Sequence, residues 1–368
     1  MSDVPSGEDS AVALLTVDEF WNEGWHGPTT FGTRDDLFLV LDPKPGTIGP
    51  GRHVCAHGTV FPGFSDHHVH LGLIDQTQLA GSAITDVDDL GWVPETTQLW
   101  SRDYQDDRLP KATTCGGFIT AVDGYPAHSG WAPRAAAVEV STTDEARRAV
   151  RRQDGLDAER IKVTLNSVAG PVLDDEVLAA VVVAAHELRL PVVAHAEGAG
   201  QAERAWRAGI GFLAHTPFSE RLDDELVRAM AQRMTWISTF DIHGWGAPTS
   251  EYHVAIDNAR RFVAAGGRML YGTDLGNGPL PLGVNARELD ALASTGIDRD
   301  ALVSSIGTFD DGVGRAECEI TEGEFVDVIG PRFVYIPGTV PETAVETAQW
   351  LASARKIDVR TLTERSFA

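Results

Sequence analysis

Five polar signals sit at or just beyond the ends of short apolar runs in this chain. They are Asp66-His67-His68-Val69-His70, Lys162 in Ile-Lys-Val-Thr-Leu, His195 in Val-Val-Ala-His-Ala-Glu, His215 in Phe-Leu-Ala-His-Thr, and Asp274 in Leu-Tyr-Gly-Thr-Asp. In a strand, residues i and i+2 point the same way, so His68 and His70 aim at one point, as two imidazoles on one metal must. Each signal alone has a plain structural reading. A lone histidine can be a hydrogen-bonded core residue, Gly-Thr-Asp can cap a following helix, and Lys162 can snorkel outward. That independent segments all deliver a metal-type donor at a strand end argues for a shared purpose.

Lys162 is the most informative single residue. The chain has four lysines, Lys44, Lys111, Lys162 and Lys356, against 26 arginines. A charged, unpaired lysine inside a buried strand is costly, and desolvation lowers its pKa and leaves a nucleophilic amine. Such an amine can add carbon dioxide to become a carbamate, a two-oxygen anion able to bridge two cations.

Elements able to bring these residues together follow from the apolar pattern. From about residue 145 strands and helices alternate. Strand-like runs are expected at 161–165, 191–195, 211–215, 235–240 and 269–273, and helices at 174–190, 201–208, 223–234, 251–265 and 285–294. Alternation of this kind implies parallel strands with crossover helices, in a barrel or a doubly wound sheet. No Gly-x-Gly-x-x-Gly follows an early strand, so a dinucleotide site is unsupported. Upstream runs at 69–71 with its flanks, 83–87 and 117–122 bring the strands to eight. In a parallel barrel all strand C-termini converge on one face, where ligands distant in sequence meet. The polar stretch 102–111 reads as a loop or insertion. Runs at 36–41 and 52–61, and the tail 318–339, look like β-structure apart from the barrel, and 341–356 like a closing helix.

The 368 residues are enough for one barrel with a remainder. The net charge of −24 repels phosphate backbones and anionic membranes, so nucleic-acid and lipid partners are not expected. Three scattered cysteines, Cys55, Cys115 and Cys318, form no disulfide framework. The first residues lack a basic, apolar signal pattern, and no apolar run approaches a membrane span. A cytoplasmic enzyme with a small-molecule substrate is expected, as a homo-oligomer.

At these residues the chain resembles the amidohydrolase superfamily, in particular its metal-dependent amidases and prolidase-like carboxypeptidases with a carboxylated lysine. Gly58-Thr-Val-Phe-Pro-Gly-Phe-Ser-Asp-His-His-Val-His70 is similar to the family's Pro-Gly-Phe-Ile-Asp-x-His-x-His. Ile161-Lys162-Val, Ala194-His195-Ala-Glu-Gly, Ala214-His215 and Gly272-Thr-Asp274 follow in the family's order. The resemblance implies a (β/α)8 TIM barrel over 62–317 and a discontinuous small β-sandwich domain from 1–61 and 318–368. It implies two divalent metal ions. His68, His70 and Asp274 hold the first, His195 and His215 the second, and carboxylated Lys162 bridges them. Asp274 also serves as general base. Zinc suits this donor set best, with manganese, iron or cobalt as alternatives. The segment Tyr125-Pro-Ala-His128 is similar to one carrying a substrate-side histidine, which makes His128 a candidate to stabilise the oxyanion, with a roleless loop histidine as the alternative.

Departures are visible. Where the family has Gly-Val-Thr-Thr-x-Arg-Asp in its second strand, this chain puts Asp88 near the arginine position. The tail keeps only an outline of the family's pattern. Asp241-Ile-His243-Gly-Trp245-Gly has no counterpart and is expected on the active face, shaping the pocket. The expected reaction is hydrolysis of an amide C–N bond in an acylated amino acid, dipeptide-like or related substrate. A lactone or ester hydrolase on the same site, a one-metal deaminase and a scaffold without chemistry are the alternatives.

Overall fold

The computed structural model describes residues 12–34, 37–41, 52–102, 108–307, 325–330, 332–361 and 367. Its central feature is a seven-stranded sheet. In spatial order the strands are Arg268–Leu270, Thr235–Ile237, Phe212–Leu213, Val192–Glu197, Ile161–Asn166, Phe118–Thr120 and Ala137–Glu139. Every pairing in it is parallel. A second parallel sheet of three strands runs Phe64–Val69, Ile84–Asp89, Lys111–Thr114.

The two sheets meet beside the strand ends. His67 N donates to Tyr271 O at 3.0 Å, Asp274 N to His68 O at 2.8 Å, and His70 N to Leu275 O at 2.8 Å. The expected barrel is therefore seen as two arcs rather than one continuous sheet, with an α/β, parallel-strand architecture consistent with a TIM-like barrel. One break has a local cause. Between Lys111–Thr114 and Phe118–Thr120 the chain reads Cys115-Gly116-Gly117, with Gly116 at φ +69°. A Cβ on Gly117 would come within 2.7 Å of Ala136 O, so only glycine lets the chain pass there.

Strand parity sorts the side chains. All six residues of Ile161–Asn166 are buried, as expected of a parallel strand covered on both faces. Ile161, Val163 and Leu165 join the large core under the helices, while Lys162 and Thr164 line a cavity on the other face. In the next strand Val192, Ala194 and Ala196 take the helix side and His195 and Glu197 the cavity side. The expected crossover helices are present as Asp175–Glu187, Gln201–Arg207, Asp224–Ala231, Ser250–Ala264 and Ala286–Ala293. The first buries Val177, Leu178, Val181 and Val182, and Asp174 caps it by accepting from Val177 N at 2.8 Å. Trp236 of one strand stacks on Phe262 of the following helix, ring centroids 3.8 Å apart.

The expected strands at 211–215, 235–240 and 269–273 are shorter than their apolar runs. They stop at Leu213, Ile237 and Leu270, and the residues beyond leave the ladder. Thr239 and Asp274 there adopt φ +48° and +58°, uncommon for residues with a Cβ. Helices Pro94–Arg102, Thr143–Asp154 and Arg299–Ile306 were not expected. The second carries a full capping box between Thr142 and Glu145, a signal that was legible.

The terminal segments unite as expected, but in one seven-stranded sheet, so the sandwich is not confirmed. Its order is Phe325–Gly330, Leu37–Leu41, Thr29–Arg34, Val12–Phe20, Arg52–Phe61, Arg332–Pro337, Arg355–Asp358. It has its own core, including Leu15, Phe31, Val54, Phe333 and Tyr335. The closing helix is Ala344–Ala352. Cys55 and Cys115 are free thiols. Cys318, residues 103–107 of the loop expected at 102–111 and the start of the β-tail lie outside the described residues. No helix among the described residues is long and apolar enough to cross a membrane.

Candidate active site

The strand ends converge as parallel topology requires. His68, His70, Lys162, His195, His215 and Asp274 are all buried and all line one cavity of about 130 Å³. Asp274 is the hub. Its Oδ1 lies 3.3 Å from both His68 Nε2 and His70 Nε2, and donor atoms of His68, His215 and Asp274 all fall within 4.8 Å of one another. The His68 ring centroid is 4.7 Å from that of His215, and His215 is 4.9 Å from His195.

Hydrogen bonds behind the rings orient the inner nitrogens. His68 Nδ1 donates to Ala214 O at 2.7 Å and His70 Nδ1 to Gly91 O at 3.1 Å. His215 Nδ1 meets Thr239 Oγ1 at 2.9 Å, which gives the positive-φ turn at Thr239 a use. Burial holds the His68 and His215 pKa values well below the ordinary imidazole value, so both rings are neutral. A neutral ring that donates through Nδ1 has only a lone pair at Nε2. His68 Nε2 and Asp274 Oδ1 are buried without a hydrogen-bond partner. Two acceptors facing each other at 3.3 Å repel unless a cation lies between them, so the donor set fits a metal ion. Against the cost of its burial, the Asp274 carboxyl is held well below its usual range by its imidazole-lined surroundings, so it stands ionised in the cavity. Asn277 Nδ2 donates to Asp274 Oδ2 at 3.0 Å, leaving Oδ1 toward the imidazoles.

Asp66 fixes the segment carrying His68 and His70 to the one carrying Asp274. It accepts from His68 N at 3.1 Å, Thr273 N at 3.0 Å and Thr273 Oγ1 at 2.5 Å. Burial pushes its pKa to about 7. His67 points the other way and meets Asp88 Oδ2 at 2.8 Å, while Arg160, just ahead of the strand Ile161–Asn166, reaches Asp88 at 3.2 Å. The acid at the departed arginine position is thus neutralised outside the cavity.

Lys162 is 2% exposed, and burial brings its pKa down to about 8. That is the environment a nucleophilic amine needs. His195 is turned differently from the other imidazoles. Its Nε2 lies 3.1 Å from Glu197 Oε2, which also accepts from Asn166 Nδ2 at 2.7 Å, and its ring stacks on Tyr125 with centroids 5.0 Å apart.

His128 is not brought to the cavity. It stands on the surface, its side chain 54% exposed, with Nε2 2.9 Å from Asp123 Oδ1. Tyr125 and Trp131, from either side of it in sequence, line the cavity instead, and Trp131 Nε1 donates to the Tyr125 hydroxyl at 3.1 Å. Tyr125 lay inside the segment singled out by sequence, but strand parity does not apply in a turn and could not say which residue points in.

The unmatched Asp241–Trp245 segment lies where expected. Ile242 lines the cavity, and the His243 ring is 4.4 Å from that of Phe218, another lining residue. The segment is anchored from below. Buried Glu288 accepts from Phe240 N at 2.9 Å and Asp241 N at 2.8 Å, and Arg287 pairs with Asp241 at 2.7 Å.

No protein-family model matches the chain, and no curated protein matches it by sequence. Solved structures do. A Xaa-Pro dipeptidase with methionine bound in its active site matches at 19% identity over 95% of this chain and 99% of its own, TM-score 0.69. A molinate hydrolase matches at 13% over 96% of both chains, TM-score 0.69. An amidohydrolase matches at 18% over 91% of this chain and 94% of its own, TM-score 0.67. At these identities the likeness speaks for architecture: the chain has the fold of solved amidohydrolases and Xaa-Pro dipeptidases across nearly its whole length.

Proposed function

We propose that this chain is a metal-dependent amidohydrolase that cleaves an amide C–N bond at the cavity around Asp274. The observation that carries the reading is the pair of buried acceptors, His68 Nε2 and Asp274 Oδ1, facing each other without a hydrogen-bond partner. In this reading His68, His70 and Asp274 would hold one divalent cation and His195 and His215 a second, and Lys162, if carboxylated on its lowered-pKa amine, would supply a further anionic ligand shared by the two. Zinc suits the donors best. When bound, such ions polarise a carbonyl and make water acidic.

The chain's own residues do the rest. Asp274 Oδ1 takes the proton of the attacking water and returns it to the leaving amine. Asn277 keeps that oxygen in place by holding the other. Tyr125, rather than His128, presents an O–H donor to the oxygen on which charge develops. Residues 62–317 form the catalytic body, and 1–61 with 318–368 the smaller one.

Elemental analysis of protein purified without chelator is expected to find two metals per chain. An activity screen over N-acyl amino acids, dipeptides and lactones then separates amide from ester chemistry. One observation favours a one-metal deaminase instead: His195 Nε2 is engaged by Glu197 rather than turned to the cluster. A single equivalent of metal with full activity would decide for that reading.

A further inference from the structure

Away from the cations proposed at the histidines, the cavity's side chains carry a statement about the substrate. Among the described residues, Glu197 is the only carboxylate besides Asp274 that lines it. Its side chain is 28% exposed, against 2% for Asp274, so it faces arriving molecules. The carboxylate is held in place: Asn166 Nδ2 at 2.7 Å and His195 Nε2 at 3.1 Å both contact Oε2, leaving the lone pairs of Oε1 for a ligand. No arginine is among the described residues lining the cavity, and its only lysine, Lys162, is buried. Phe118, Tyr125, Trp131 and Phe218 supply aromatic surface around it, which favours a cation over an anion. The net charge of −24 adds a long-range field of the same sign.

Resting on the amidohydrolase reading, we infer that the substrate carries a cationic group, an ammonium or guanidinium, near its scissile amide, and that Glu197 binds it. A substrate with a carboxylate in that place meets Glu197 with no arginine to answer it. This narrows the expected class away from free acylated amino acids and toward basic amides.

The test compares kcat/KM for amide pairs differing only in an ammonium against a methyl group, on the acyl side in one pair and the amine side in the other. The ammonium member is expected to win by about tenfold in one pair, the scale of a hydrogen bond to a charged group. Within the Glu197→Gln variant the ratio should collapse to within about twofold. Because the ratio is internal to each protein, a general loss of rate does not obscure it, and Glu197→Ala is the second variant if the amide side chain disturbs Asn166. Calorimetric titration of benzylammonium against benzyl alcohol, on protein with its metal content measured, gives a readout free of turnover. Equal affinity for the two, or an ammonium preference that survives both substitutions, overturns the inference. If no amide is hydrolysed but the ammonium preference is present and depends on Glu197, the amide reading fails and the charge assignment stands.

Discussion

Two clusters of histidine and carboxylate among the described residues have spacing compatible with a cation, and they differ in almost everything else. One is His68, His215 and Asp274. The other is Asp123, His128 and Glu139. The first is fully buried, with the outer nitrogens of its imidazoles committed to backbone or threonine oxygens and its inner atoms left facing one another. The second is solvated. His128 and Asp123 are more than half exposed, and Glu139 is occupied by Asp123 N at 2.8 Å and by Arg134 at 3.7 Å. Water and ordinary ion pairs satisfy the second cluster, so it needs no ion. The first has desolvated acceptors with nothing to accept from, a cost that a bound cation relieves. The lesson is that spacing nominates a site, while burial and unsatisfied lone pairs distinguish it.

The contrast can be broken by substitution. The largest effect is expected from Asp274→Asn, which takes away both the proposed ligand and the proposed proton acceptor: turnover should fall by about 10³-fold or more with the fold intact by circular dichroism. Retained turnover removes Asp274 from the mechanism. Lys162→Ala should strip metal and activity together, and short carboxylic acids are expected to restore part of both. Normal metal content in that variant rules out the bridge.

A milder effect is expected of Asp66→Ala, which frees Thr273 and the His68 backbone without touching a ligand atom. A loss of about tenfold in metal affinity, read by chelator competition, is the scale for an orienting partner. No change would mean that the two segments hold their geometry unaided.

The pH dependence of stability sharpens the same contrast. Burial raises the Glu288 pKa to about 8, so its contribution is fully present below its unfolded value, near 4.5, and is lost as pH rises through 8. The thermal midpoint should therefore decline from pH 5 to pH 9, and Glu288→Gln should flatten that slope even where it lowers the midpoint. An unchanged slope would place the ionisation elsewhere. The smallest effect is expected of His128→Ala, less than about twofold in kcat/KM, as for an exposed pair. A hundredfold loss would return His128 to the oxyanion role.

Much of this was legible in the chain. Alternating apolar runs predicted the parallel strands and crossover helices because burial on both faces demands continuous apolar stretches. Lys162 stood out because a charge inside such a stretch is anomalous. The Asp66-to-His70 run announced itself through period-two geometry. Other features were not legible for equally physical reasons. The strands end before their apolar runs do, because Thr239 and Asp274 turn out of the ladder at positive φ, and no local preference announces that. Tyr125 replaces His128 at the cavity because a turn has no period from which to read direction.

The sequence by itself determined the donor types, their order and the strand ends that carry them, since these depend on residue identity and on short-range periodicity. Only the tertiary structure decided which atoms face one another. The pairing of His68 with the Ala214 carbonyl spans 146 positions, and that of Asp66 with Thr273 spans 207. Contacts that long are set by how the strands close upon each other, and so are the lowered imidazole pKa values, the softened Lys162 and the placement of Glu197 in the cavity.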